Sequence, residues 1–215
     1  MFALLTAAIA PGMALLSYFY LRNDYETTTA SHVLRTFIIG IILVFPVMVL
    51  QYAFTTEGLL QTNVLQAFVL YGFFEEFFKW FMLFFFVYQY GKMTKRYDGI
   101  VYGASLSLGF ASMENIFYLL AYGLEAAVTR ALLPVSSHAL YGVIMGYYIG
   151  RAKLEDDKRK VLLTLALIIP VLLHGIYDFI LLSFGVYVLI GLVPFMVGLW
   201  LLALNKVKWA NKLDH

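Results

Sequence analysis

The chain has 215 residues, 15 Lys and Arg against 13 Asp and Glu, a formal net charge of +2, and is 62% hydrophobic but only 13% charged. Its mean hydropathy is +0.83, whereas soluble domains are roughly 45–50% apolar and about 25% charged. A water-soluble globule, a disordered tail and a nucleic-acid binder acting through excess positive charge are therefore excluded, and the absence of cysteine removes disulfides, thiolate metal sites and a cysteine nucleophile.

At about 20 apolar residues per membrane crossing, seven segments qualify in chain order. They are Phe2–Leu21, Val33–Phe54, Asn63–Tyr90, Gly99–Ala121, Ala127–Gly150, Val161–Ser183 and Val186–Leu204. The first lacks the basic start and small-residue cleavage site of a signal peptide, so it reads as a retained helix. The third is longer than one crossing needs, which predicts tilt, protrusion or an interfacial start. The expected fold is all-α: one integral-membrane domain over residues 1–215 with about seven transmembrane helices.

Charge sets the orientation. One set of connections carries Arg22, Arg35, Lys92, Lys95 and Arg96, then Arg151, Lys153, Lys158, Arg159 and Lys160, and finally Lys206, Lys208 and Lys212. Those are 13 of the 15 basic residues; the opposite set has only Arg130, and Lys79 lies within a span. By the positive-inside rule the rich side is cytoplasmic, with the N-terminus outside and the C-terminus inside.

Few ionisable residues remain inside the spans: Glu75, Glu76 and Lys79 on the third, Glu114 on the fourth, His138 on the fifth, and His174 and Asp178 on the sixth. A charge at mid-helix costs roughly 2.5–3.5 kcal/mol, so these groups must pair, change protonation, bind something or line water. At 1.5 Å per residue, Glu75 and Glu76 lie roughly 18–20 Å from the external end, His138 roughly 16 Å, His174 roughly 13 Å, Glu114 roughly 11 Å and Asp178 roughly 7 Å. Helices running in opposite directions thus bring their polar residues near one level, which points to a shared site reached from outside.

Spacing says which way they face. His138 continues the small-residue stripe Gly142, Gly146 and Gly150, and Gly99, Gly103, Ser107 and Ala111 lead to Glu114. His174 and Asp178 share a face, and Lys79 is within one turn of both Glu75 and Glu76. Pro134 and Pro170 each precede a histidine by four residues and can kink their helices, although proline is common in membrane spans.

The Glu75–Glu76–Lys79 group has a bland interpretation, a buried salt bridge that fixes packing. Its second glutamate leaves excess negative charge, suited to a general base that activates water. His138 and His174 suit either a divalent metal or hydrogen bonds to a developing oxyanion. Asp178 suits orientation of His174. Asn115 offers an amide for the site or for ordinary interhelical bonding. No H-E-x-x-H zinc motif, rhomboid-type serine motif or Gly-x-Gly-Asp is present, and the seventh span has no mid-membrane lysine for a retinal Schiff base.

Four ordered motifs resemble a known family. Phe74-Glu75-Glu76-Phe77-Phe78-Lys79 resembles the E-E-x-x-K motif of the PrsW family of bacterial intramembrane proteases, and Phe110-Ala111-Ser112-Met113-Glu114 its F-x-x-x-E element. The stretch from Arg130 to His138 resembles its histidine segment, and His174-Gly175-Ile176-Tyr177-Asp178 its H-x-x-x-D segment. The resemblance implies a multi-pass protease of the bacterial plasma membrane. Such an enzyme makes the first, extracytoplasmic-side cut in a single-pass anti-sigma factor under envelope stress, leading to release of an extracytoplasmic-function sigma factor. It implies catalytic roles for Glu75, Glu76, Glu114, His138 and His174 and support from Lys79, Asp178 and Asn115. It permits without requiring a divalent metal such as zinc on Glu76, Glu114, His138 and His174, the alternative being a metal-free glutamate site. The family is similar to the CAAX prenyl endopeptidases of the Abi type, which carry histidine where Glu114 stands and asparagine where Asp178 stands. Two other classes also use buried carboxylates or this fold: a proton- or cation-coupled transporter and a non-catalytic membrane scaffold.

Overall fold

The computed structural model describes residues 2–23 and 28–215, and among them every long element is a helix. Helix α1 is Phe2–Leu21 and α2 is Ala30–Thr56. Helix α3, residues 63–89, holds the α-helical stretch Phe74–Met82 between two wide i→i+5 stretches, Gln66–Phe73 and Leu83–Gln89. Helix α4 is Arg96–Tyr122, and α5, residues 127–154, contains a wide stretch at Ala131–Val135 before Ser136–Leu154. Helices α6 and α7 are Arg159–Ser183 and Val188–Asp214.

Each of the seven expected segments coincides with one helix. The largest difference is α7, which continues past Leu204 to Asp214. Its Lys206, Lys208 and Lys212 end the apolar run but not the helix, because lysine is a good helix former. Pro134 falls within the wide stretch of α5, whereas Pro170 lies inside the uninterrupted α6.

By length and composition, α1, α2, α6 and α7 can cross a membrane. Their outer faces expose Ile42, Val49, Val161, Leu172, Ile190 and Leu201, the apolar surface that lipid would cover. The chain is a multi-pass, all-α membrane protein.

Helices α4 and α5 form the centre. Every residue from 97 to 112 and from 135 to 150 is buried, although these helices are among the less apolar. Small residues explain the packing. A Cβ on Gly103 would lie 2.2 Å from the Gly142 carbonyl oxygen, and one on Gly146 would lie 2.1 Å from that of Gly99. The two small-residue stripes therefore face each other, so closely that only hydrogen fits between the backbones.

Helix α3 lies antiparallel along α6. The Asn63 amide donates to the Leu182 carbonyl (3.1 Å), Gly72 packs on the backbone of Val171 and Gly175, and the Trp80 indole N–H reaches the Leu163 carbonyl (3.1 Å). At the basic end, Asp214 accepts from the Arg96 and Tyr97 backbone N–H groups at 3.0 and 2.9 Å, capping α4 from α7. Glu155 receives Arg96 and Arg151 there. The short hydrogen bond from Arg151 holds its carboxyl below the usual range, against the smaller effect of burial, with Arg96 adding to it.

Candidate active site

The wide stretches of α3 bracket the segment that carries Glu75, Glu76 and Lys79; such interruptions are frequent at functional sites. Lys79 is fully buried. Its Nζ lies 2.8 Å from Glu76 Oε1, 3.4 Å from Glu75 Oε2 and 3.1 Å from His138 Nδ1, and 4.1 Å above the Phe110 ring. On the other side of the His138 ring, Nε2 lies 3.2 Å from Glu114 Oε2.

His174 is held differently. Its Nδ1 lies 2.9 Å from Glu76 Oε1 and its Nε2 lies 3.1 Å from Asp178 Oδ2, so a carboxylate faces each nitrogen. The ring stacks on Tyr141 at 5.1 Å and meets His138 edge-on at 5.1 Å. Glu75 Oε2 is the shared centre, 4.0 Å from Nε2 of both histidines. The other oxygen, Oε1, accepts from the Gln51 amide at 3.1 Å.

The expected residues thus converge from α3, α4, α5 and α6, with two distinctions. Glu75, Glu76, His138 and His174 each offer a ligand atom within 4.8 Å of the others, and Glu114 falls outside that compact set. Asn115 does not reach the set; it donates to the Ala8 carbonyl (3.0 Å) and accepts from Arg130 Nε (2.8 Å). Three residues beyond the sequence expectation join the site. Gln51 is the polar interruption deep in the second apolar run. Arg130, assigned to a loop by charge, is buried 3.6 Å from Glu114, and Tyr141 is a ring that polarity could not single out.

A cavity of about 260 Å³ opens beside this cluster, bordered by Glu75, Glu114, His138, His174, Asp178 and Pro134. Glu75 borders it, whereas Glu76 is fully buried behind. Four carboxylates (Glu75, Glu76, Glu114 and Asp178) face two fixed cations (Lys79 and Arg130), which leaves two negative charges for the histidines or a cation to balance.

The PrsW family, described as intramembrane metalloproteases, matches residues 28–203. The chain belongs to this family. It is 63% identical over its full length to Protease PrsW of Halalkalibacterium halodurans, also covered in full, and 51% identical to Protease PrsW of Bacillus subtilis strain 168, with 100% of this chain and 98% of the relative aligned. Against Protease PrsW of Clostridioides difficile the identity is 31%, over 90% of this chain and 86% of the relative. No solved structure matches the chain. As a PrsW-family protein it is a membrane-embedded peptidase.

The residues fit the metal that the family description implies. Two imidazoles and two carboxylates are a donor set for zinc or a similar divalent ion. The net charge is of the complementary sign, and Glu76 Oε2 is buried without a hydrogen-bond partner. This group can hold a metal ion.

Proposed function

We propose that this protease makes the first, extracytoplasmic-side cut in a single-pass membrane anti-sigma factor, leading to release of an extracytoplasmic-function sigma factor. We further propose that Glu75 is its general base. The observation carrying this reading is the buried Glu75–Glu76–His138–His174 group beside a cavity that only one of its two glutamates borders. The 13-to-1 division of basic residues between the two sets of connections supports an outward-facing position.

In this mechanism Gln51 fixes Glu75 Oε1 and leaves Oε2 to accept a proton from water. The water oxygen bonds to the scissile carbonyl carbon, and the same proton passes to the leaving amine as the C–N bond breaks. Lys79 holds Glu76 in place, Asp178 orients His174, and Arg130, itself bonded to Asn115, holds Glu114 against His138. Glu76, His138 and His174 would hold a divalent ion such as zinc, which supplies Lewis acidity toward the carbonyl oxygen when bound.

The test is unbiased profiling of new protein N-termini in bacterial membranes under envelope stress. Cells would carry wild type or the Glu75→Gln, Glu76→Gln double variant at matched abundance. A new external-side terminus on a single-pass protein, present only with wild type, is expected. Identical profiles would sink the substrate assignment. Proton or cation flux in proteoliposomes would favour the transporter alternative, which shares the buried carboxylates.

A further inference from the structure

Far from the catalytic cavity, at the basic end, α2 and α3 part. The two helices meet near the site through the Gln51–Glu75 hydrogen bond and the Phe54–Phe74 ring pair at 5.1 Å. Toward the other end a cleft of about 400 Å³ separates them. Arg35 lies on the α2 wall and Lys92 just beyond the end of α3, with the Tyr90 and Tyr102 rings between them. Both cations are exposed, and neither has a hydrogen bond or ion pair among the described residues. Among the described residues no carboxylate lines the cleft, and its lower walls are apolar, with Ile39 and Phe86.

The depth suits a lipid headgroup. Helix α2 has 27 residues, about 40 Å of helix against a hydrocarbon core of about 30 Å. Its first turns therefore project into the headgroup layer, and Arg35 sits near the boundary with the acyl chains. Tyr90 is strongly exposed beside it, as interfacial tyrosines are. Two cations without an ion pair among the described residues, one on α2 and one just past the end of α3, form with the aromatic walls and apolar floor a receptor for an anion that carries a hydrocarbon tail.

We propose that this cleft binds the phosphodiester headgroup of an anionic glycerophospholipid. Arg35 and Lys92 pair with the phosphate, and an acyl chain runs down along Ile39 and Phe86. The lipid would span the basic ends of the two helices that also meet through the Gln51 bond to Glu75 and the Phe54–Phe74 ring pair, tying leaflet composition to the placement of that carboxylate.

Native mass spectrometry of the full-length protein, released from bilayers containing phosphatidylglycerol and phosphatidylcholine, tests the proposal. Wild type is expected to retain phosphatidylglycerol in preference. The Arg35→Gln, Lys92→Gln variant should weaken that retention about thirtyfold, while Lys158→Gln, Lys160→Gln removes equal charge around the start of α6 and should leave it intact. Equal losses from both variants would mean diffuse attraction and overturn the site. So would equal retention of the two lipids by wild type, a result that needs no variant to fold. Saturation by water-soluble glycerophosphoglycerol at the same affinity would reassign the cleft to free phosphate esters and overturn the lipid assignment.

Discussion

The α4–α5 seam and the α3–α6 cluster are both buried helix contacts, yet they solve opposite problems. Along the seam, side chains are removed until backbones touch, as at Gly103 against Gly142 and Gly146 against Gly99. Across the cluster, charges are brought inside whose partners are mostly one another: Lys79 with Glu75 and Glu76, His174 with Glu76 and Asp178. A seam of hydrogen and carbonyl tolerates no added atom. A charge cluster tolerates isosteric change but not loss of the chemical group. Rigid backbone contact thus carries the scaffold, while the cluster gathers the groups that can exchange protons.

The contrast can be broken first at Glu75. Glu75→Gln keeps the shape and the Gln51 contact but removes the proton acceptor. Turnover of a membrane reporter should fall by about 10²–10⁴-fold, with little change in melting temperature. Full activity in that variant would remove Glu75 from the base role. The seam should respond in reverse: Gly146→Ala forces a methyl against the Gly99 carbonyl and should cost about 1–3 kcal/mol of stability. Gly198→Ala on α7 is its control. A Cβ there meets nothing within 4 Å, and better helix propensity should stabilise by about 0.5–1 kcal/mol, so thermal melts of the pair sharpen the comparison.

A smaller effect is expected from Gln51→Leu, which releases Glu75 Oε1 without touching the reacting groups. Turnover should drop by about tenfold, and Gln51→Asn, too short to reach, should not rescue it. The smallest belongs to Glu155 at the basic end. Arg151 and Arg96 depress its pKa, so its stabilisation is present above the ordinary carboxylate range and lost as pH falls through the lowered value. Glu155→Gln should cost about 0.5–1 kcal/mol near neutral pH. That gap should close in melts at acid pH; a gap unchanged by acidification would exclude the carboxylate as its source.

Much of this was legible in the sequence because lipid imposes simple rules. Apolar run lengths found all seven helices, and the scarcity of intramembrane charge singled out Glu75, Glu76, Lys79, Glu114, His138, His174 and Asp178, which do converge. Periodicity placed Gly99 and Gly103 on the stripe that meets Gly142 and Gly146. Legibility failed where the signal was neither charge nor period. Gln51 is uncharged, and only the three-dimensional meeting of α2 and α3 gives it a carboxylate partner. Arg130 counts with the connections by its charge, yet it lies in α5 with its guanidinium 4.1 Å from the Tyr118 ring. That Glu75 rather than Glu114 lies in the compact group with Glu76, His138 and His174 turns on side-chain directions, which rise per residue does not encode.

The cap that Asp214 places on α4 also orders events in time. The Tyr97 backbone N–H waits for a carboxylate 117 positions further along the chain. At roughly 5–20 residues per second, the ribosome delivers that partner about 6–23 s after it has made Tyr97. During that interval the first turn of the central helix has two backbone donors without their final acceptor. A nascent chain inserted as far as α6 already contains every residue of the charge cluster and the Asp98 carboxylate that accepts from the Thr94 and Lys95 backbone N–H groups, but the Asp214 contact to the start of α4 forms only when α7 arrives. Helix α7, made after every residue of the cluster, therefore completes the packing of the helix at the centre.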